Sequence, residues 1–537
     1  MHKKIYDVAK KLNISDERIV PYGLNKLKIS TSGLEFGKNR KGKIILCTAI
    51  TPTKAGEGKT TTAISLADSL SYLGKNTIAC LREPSLGPVF GVKGGGAGGG
   101  ESTLYPEDDI NLHFTGDIHA ITSVNNLIVA MIDNELYQHS ELDVDPDGIV
   151  LPRNMDMNDR ALRDITVANN DPKVKSHHSS FCITAASEVM AIFCLSKDEE
   201  DFLNRVDNIT VAYNSKGKPI LVKQLECRNA VRYLIHDALM PNLVQTKYGT
   251  PALVHGGPFA NIAHGVNSLI STDLGLKLAD YVVTEAGFGS DLGMEKYLDV
   301  VSPLSGFAPS LICMVATIRA LKLHGGVKFE ELNKENITAV EEGTKNLLKH
   351  LKNVKLYNLP VIVSINRFKS DTDNEINCLS KILKKAGFEF ALNTSYVDGP
   401  KGGEALASLA IKKLSTSGKS KFAPIIKPSM SVDKKIKTIA KNIYGAKDVI
   451  YSDAAERQLK EFDKKEFEDF SVVISKTPNS LSDDPKLLNV PDKHVLHVQS
   501  FRVFTGAKFI VPLTGEIFTM PGLPKKPAAK NMESTHQ

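Results

Sequence analysis

The segment TPTKAGEGKTTT, residues 51–62, follows the apolar run KIILCTAI and precedes Ala63, Leu66, Ala67, Leu70 and Leu73 at helical spacing. A strand, a glycine turn and a helix start, in that order, direct backbone N–H groups and the positive end of a helix dipole at one anion. Gly56 and Gly58 can take backbone angles that a side chain forbids. In this pattern Lys59 neutralises the β and γ phosphates of a nucleotide, and the Thr60 hydroxyl reaches a magnesium ion. The full phosphate-loop pattern, G-x-x-x-x-G-K-[ST], would have glycine at position 53, where this chain has Thr53. The GEGKTT core still predicts that Thr53, Lys54, Ala55, Gly56, Glu57, Gly58, Lys59, Thr60 and Thr61 hold ATP, with Thr60 as the metal contact.

The elements around the loop must carry it at the edge of a sheet. Short β-branched runs, KIILCTA, TIACL, NITVAY, PALVHG, DYVVTEA, LICMVAT and PVIVSIN, alternate with longer helical patterns. Near-continuous apolar strands separated by helices predict an α/β fold, a phosphate-loop type of parallel sheet with helices on both faces. Such sheets gather ligand groups at the carboxyl ends of their strands. That rule singles out Thr51 onward, Arg82, His255, Glu285 and Asn366. Arg82 has the planar fork that suits carboxylate or phosphate oxygens. The glycines after His255 favour phosphate contact for its ring over a place in the core. His113, Asp117 and His119 fall within seven residues and are candidates for metal ligation or proton handling, although Gly-Asp before IHAIT also reads as a helix start. The glycine-rich run GVKGGGAGGG, residues 91–100, reads as backbone packed closely against a ligand.

At 537 residues the chain exceeds what one hydrophobic core usually serves. The expected division is a large nucleotide-binding domain over 1–347, an α/β domain over 348–455 and a small C-terminal α/β domain over 456–537. A net charge of +6, with basic residues scattered along the chain, argues against nucleic acid and suits anionic small substrates. Seven cysteines form no C-x-x-C pair, which predicts reduced thiols in the core. No run reaches the ~18 apolar residues of a membrane span, and the polar N-terminus lacks a signal-peptide core. A cytoplasmic protein is expected.

Nine motifs, TPTKAGEGKTTT, LREPSLGPVFGVKGGGAGGG, DINLHFTGDIHAIT, MDMNDRALR, TPALVHGGPFANIAHG, EAGFGSDLGMEK, VATIRALKLHGG, INRF and LTGEIFTMPGLPK, run in order from residue 51 to residue 525. Together they resemble the formate–tetrahydrofolate ligase (10-formyltetrahydrofolate synthetase) family over nearly the whole chain. The resemblance implies a two-step reaction: formate takes the γ-phosphate of ATP to form formyl phosphate, and N10 of tetrahydrofolate then takes the formyl group. It implies catalytic roles for Lys59, Arg82, Asp117 and His255, with Asp117 near N10. It implies substrate contacts from Arg82, Glu83, Phe368 and Tyr396, the last two as ring faces for the pterin. ATP, Mg²⁺ and a monovalent cation, K⁺ or NH4⁺, are the implied cofactors, and a homotetramer the implied assembly.

The chain departs from the family pattern in three places. It has no tryptophan, and SYVDGPKGGE stands where the family carries one before KGGE, so Tyr396 is the substitute ring. Losing a stacking face would cost about 1 kcal/mol. Cys182 stands where the family usually has aspartate, and Val301, Ser302 and Pro303 replace a Lys-Cys-Arg run. These departures leave a second reading in play, an ATP-binding paralogue with a decayed folate site.

Overall fold

A computed structural model describes residues 3–54, 56–93, 96–169, 172–416, 421–462, 464–515 and 518–532. Seven strands form its parallel core: β1 Lys43–Ala49, β2 Thr77–Leu81, β3 Pro251–Val254, β4 Tyr281–Glu285, β5 Leu311–Thr317, β6 Val361–Asn366 and β7 Glu389–Asn393. They lie in the order β3-β2-β4-β1-β5-β6-β7. Antiparallel strands Asn242–Thr246, Leu27–Ile29 and Ile19–Pro21 extend the sheet beyond β3. Every residue of β2, β3 and β5 is buried, which is why these strands read as unbroken apolar runs rather than alternating ones. The run NITVAY is the exception among the expected strands. Thr210–Asn214 joins a separate antiparallel sheet with Val144–Ile149 and Pro219–Leu221.

The phosphate-loop strand β1 occupies the middle of the order, between β4 and β5. Register pairs Cys47 with both Glu285 and Cys313, so the end of β4 lies beside the root of the loop. Helix α1, Lys59–Tyr72, buries Thr62 through Leu70 on all sides. Small residues permit this: a Cβ on Gly403 would stand 2.3 Å from Ser69 Oγ, so the helix over 404–416 can approach closely.

The expected boundary after residue 347 falls inside a helix, Ile337–Leu356, and the next two strands, β6 and β7, continue the main sheet in parallel. The large body therefore runs through the helix Glu404–Thr416, and among the described residues no separate sheet is built from 348–455. The second divide also moves. Asp448–Tyr451 pairs with Val495–Val498, which ties residues before 455 to the C-terminal unit. That unit holds a second small sheet in which Phe509–Leu513 pairs with Ser471–Val472 and Ser500–Phe504. All seven cysteines are free, six of them buried. Among the described residues no helix is long and apolar enough to cross a membrane.

Buried charges fasten the C-terminal unit to the main body. Asp291 Oδ2 lies 3.2 Å from Lys476 Nζ with both side chains fully buried. Asp299 Oδ1 accepts from the amides of Ile425 and Ile426 at 2.8 and 3.1 Å. Glu188 Oε1 accepts from the amides of Gly506 and Ala507 at 2.7 and 3.2 Å. Burial pushes the Glu188 carboxyl up to about 8, so between the ordinary carboxylate range and pH 8 the folded protein holds a proton that the unfolded chain has released. Its stabilising contribution is complete at low pH and is lost as pH rises through the folded value. Glu188→Gln keeps an acceptor at Oε1 and does not titrate. From pH 5 to pH 8, paired calorimetry should show the wild-type thermal midpoint falling by a few degrees relative to the variant; parallel pH trends would contradict this assignment.

Candidate active site

The phosphate loop is fastened from within and from the side. Thr53, in the place of the expected glycine, donates to Glu57 Oε1 from its N–H at 2.6 Å and from its hydroxyl at 3.1 Å. Glu57 is 4% exposed and burial raises its carboxyl above the ordinary range; its other oxygen lies 4.0 Å from Lys59 Nζ. Threonine thus closes the turn by a side-chain clasp where the usual pattern relies on glycine. Gly58 starts α1 in the left-handed region, φ 73°, ψ 37°, and no side chain caps the helix. A Cβ there would stand 3.2 Å from Asn366 Nδ2. That amide donates to Glu57 O at 3.2 Å and to Thr62 Oγ1 at 2.8 Å, so the end of β6 holds the loop to α1. Lys54 is exposed, and Ala55 lies outside the described residues. The uncapped amides of the first helical turn and the Lys59 ammonium meet the requirements of an anion cradle.

A cavity of about 850 Å³ reaches this helix start at Thr60, the one described residue of the loop that lines it. Thr60, Arg82, Glu83, Glu285 and Phe288 line it from the main body. Thr60 Oγ1 donates to Glu285 Oε2 at 2.9 Å, and Arg82 Nη2 approaches Glu285 Oε1 at 3.4 Å. Arg82 Nε is buried without a protein partner among the described residues. A Cβ on Gly287 would stand 2.8 Å from Arg82 Nη1, so glycine there is what admits the guanidinium. Glu83 is 4% exposed; burial, with Asp117 nearby, holds its carboxyl well above the ordinary range. A hydroxyl beside a carboxylate is a hard oxygen pair suited to Mg²⁺, and the guanidinium suits a carboxylate or phosphate.

Two of the expected catalytic residues lie elsewhere. His255 is fully buried: Nδ1 meets Ser268 Oγ at 2.6 Å, Nε2 meets Ala238 O at 2.7 Å, and the ring stands 4.7 Å from that of Phe193. Burial drives its pKa down to about 4. It is a satisfied core histidine, not a ligand group, because both ring nitrogens are engaged by protein. Asp117, 1% exposed, opens helix α2, Asp117–Gln138, after Gly116 in the left-handed region. Its carboxylate takes Lys28 Nζ at 2.7 Å and Asn242 Nδ2 at 2.6 Å. It is a buried ion pair outside the cavity lining, and the helix-start reading of Gly-Asp holds. His113 and His119 are exposed and do not converge with it. Among the described residues no His, Cys, Asp and Glu cluster with the makings of a metal site occurs.

Phe368 and Tyr396 also stand outside the cavity lining. They follow Asn366 and Asn393, which pair in register at neighbouring strand ends and are joined by Asn393 Nδ2 to Asn366 Oδ1 at 3.1 Å. Phe368 lies under the Arg319 guanidinium, 5.4 Å from its ring centre, and Tyr396 is 57% exposed. The glycine-rich run reaches the cavity at Gly96, where a Cβ would stand 2.6 Å from Pro84, while its far end packs on protein, a Cβ on Gly100 standing 2.3 Å from Tyr396 O. Gly94 and Gly95 lie outside the described residues. Of the departures, Cys182 is buried with its thiol donating to Asn154 Oδ1 at 2.9 Å and pushed up to about 12 by burial. None of Cys182, Val301, Ser302 and Pro303 lines the cavity.

The cavity wall also contains residues that sequence reasoning passed over. Arg163, Phe259, Phe288 and Phe518 all sit inside quoted motifs but were not singled out. Phe288 has φ 56°, a left-handed backbone that is strained for an aromatic residue and marks functional sites. Arg163 lies over the Phe518 ring at 3.6 Å and donates to Met520 O at 2.9 Å, so the C-terminal unit closes this side. The pairing of residue 163 with residue 518 leaves no local trace in the chain.

A family model described as formate–tetrahydrofolate ligase matches residues 1–537. Among curated proteins, formate–tetrahydrofolate ligase of Pseudothermotoga lettingae is 49% identical over 534 residues, 98% of this chain and 95% of that protein. The proteins of the same name from Thermosipho melanesiensis and Thermosipho africanus are 49% and 50% identical over 537 residues, 99% of this chain and 96% of each. With the loop, the strand ends and the cavity already in place, the chain belongs to the formate–tetrahydrofolate ligase family.

Proposed function

We propose that this chain joins formate to tetrahydrofolate at the expense of ATP, giving 10-formyltetrahydrofolate, ADP and phosphate through formyl phosphate. The observation that carries the reading is the meeting of Thr60, from the first turn of an uncapped helix, with Arg82 and Glu285 at the wall of one cavity. A volume of about 850 Å³ exceeds what a one-carbon acid fills, which leaves room for the amine that receives the formyl group.

In the first step a formate oxygen bonds to the γ-phosphorus as the bond to ADP breaks. In the second the N10 lone pair attacks the formyl carbon, phosphate leaves, and the amine gives up its proton. Phosphoryl transfer is mostly positioning and charge neutralisation. The amides at the start of α1 and Lys59 bind the phosphates, and Arg82 holds the carboxylate and then the transferred group. Mg²⁺, held by Thr60 and Glu285, supplies further neutralisation of phosphate charge when bound. Phe259 and Phe288 line the cavity and exclude water, which would otherwise hydrolyse the acyl phosphate. Thr53, Gly56, Glu57, Gly58 and Thr61 shape the cradle, with the exposed Lys54 on its outer turn, and the ATP-binding reading includes Ala55. Phe368 and Tyr396 remain in the reading as ring faces for the pterin, and Glu83 as a substrate-side carboxyl. Asp117 and His255 act by holding strand ends, not by touching substrate. A monovalent cation, a homotetramer and a cytoplasmic location enter from the family rather than from a residue described above.

Two outcomes test this. With formate, tetrahydrofolate, Mg²⁺ and K⁺, Lys59→Ala and Arg82→Ala should each lose about a thousandfold in kcat/KM; a normal rate in either removes that residue from the site. Asp117→Asn leaves Lys28 buried without its counter-charge and should lower unfolding stability by about 3 kcal/mol, with the KM for formate unchanged. Denaturant titration beside steady-state kinetics separates the two effects, and a changed formate KM at full stability would return Asp117 to the substrate.

A further inference from the structure

The phosphate loop leaves its strand at Thr51, and two imidazoles receive it there. The preceding residue, Ile50, still bonds across the sheet, from its N–H to Val315 O at 3.4 Å. Thr51 lies past that contact yet is fully buried, so its N–H, C=O and hydroxyl all need partners within the protein. Pro52 follows and brings no N–H. Helices α3, Ile318–His324, and α4, Ile337–Leu356, supply the partners from His324 and His350.

Backbone amides settle both tautomers. The Thr51 N–H donates to His350 Nε2 at 2.9 Å, which makes that nitrogen the acceptor and puts the ring proton on Nδ1, 2.7 Å from Ser290 Oγ. The Asn489 N–H donates to His324 Nδ1 at 3.2 Å, so His324 carries its proton on Nε2 and donates it to Thr51 O at 2.9 Å. One neutral ring therefore accepts from Thr51 and the other donates to it. Asn346 completes the enclosure, with Oδ1 as a second, longer acceptor for the Thr51 N–H at 3.3 Å and Nδ2 donating to Thr51 Oγ1 at 3.1 Å and to Asn489 O at 2.7 Å. Burial lowers both imidazoles below the ordinary histidine range, His350 to about 4, which keeps the pair uncharged near neutrality.

We propose that His350 and His324 are positioning residues for the phosphate loop: by clamping the backbone of Thr51 they set where residues 52–58 begin, and through Asn489 they make that geometry depend on the seating of the C-terminal unit. The proposal rests on the reading that this loop holds ATP. Neither ring lines the cavity, and both act through Thr51.

The test exploits which nitrogen does the work. Glutamine places its amide where Nε2 stands and can still accept from Thr51, whereas asparagine reaches only the Nδ1 side. His350→Asn should raise the KM for ATP about tenfold, the equivalent of one lost buried hydrogen bond, with the KM for tetrahydrofolate within about twofold. His350→Gln should stay within about threefold of wild type in both, even where its thermal midpoint falls as far as that of His350→Asn. Ser290→Ala, which removes only the acceptor for the His350 Nδ1 proton, should raise the KM for ATP without unfolding the chain, and it covers the case in which a histidine variant does not fold. Identical ATP constants for the Gln and Asn variants, an unchanged ATP constant for Ser290→Ala, or a rise in all substrate constants together would overturn the proposal. Calorimetric titration of the wild-type protein with a non-hydrolysable ATP analogue separates the two levels: no binding by the wild type defeats the ATP reading itself, whereas binding with equal variants defeats only the clamp.

Discussion

One constraint organises the molecule: a backbone that stops pairing in the middle of a parallel sheet must find other partners at once. At the end of β1 the N–H and C=O of Thr51 have left the ladder in a place without water, and an unpaired amide there costs as much as a lost hydrogen bond. Histidine and asparagine side chains from α3 and α4 take over from the sheet. Five residues later the chain turns through Gly56 and Gly58, and helix α1 opens with no side-chain cap on its first amides. Backbone groups that are a liability inside the sheet are, at its edge, the ones proposed to bind the anion.

Charges follow the same logic of burial with compensation. Lys28 with Asp117, Lys322 with Glu375, and Lys476 with Asp291 are ion pairs that water barely reaches, each at a junction between parts of the chain far apart in sequence. Breaking such a pair costs more than forming it contributes, because the survivor keeps its desolvation penalty. Pairs of this kind therefore specify which surfaces meet. The junction formed by Asp291 and Lys476 connects the loop after β4 with the C-terminal unit, and that unit provides one wall of the cavity. Arg82 and Glu285 differ from these pairs: at 3.4 Å, with the guanidinium 20% exposed, they face space that a substrate carboxylate can enter.

Burial also explains the two catalytic assignments that moved. His255 and Asp117 are polar residues near glycine and at element ends, which is how ligand groups look in one dimension. In the folded chain their polar atoms are consumed by Ser268, Ala238, Lys28 and Asn242. What they share with a real ligand group is the need for a polar partner, and a sequence does not say whether that partner is a substrate or another part of the protein.

Residue order by itself determined the features whose physics is local. The strand spans Lys43–Ala49, Thr77–Leu81 and Leu311–Thr317 were legible as apolar runs, the loop as glycines before Lys59 and a helical repeat, and the thiols as reduced core residues. Arg82 and Glu285 followed from one topological rule, that ligand groups collect at strand ends. Tertiary structure alone decided the rest. It carried β6 and β7 into the main sheet across an expected domain boundary, because parallel pairing joins segments that no short-range pattern connects. It brought Phe518 to Arg163 and Asn489 to His324 over separations far beyond any local pattern, the second of 165 residues. It also separated buried polar residues that serve the protein from those that face the cavity, since only packing determines which polar atoms are left without a partner.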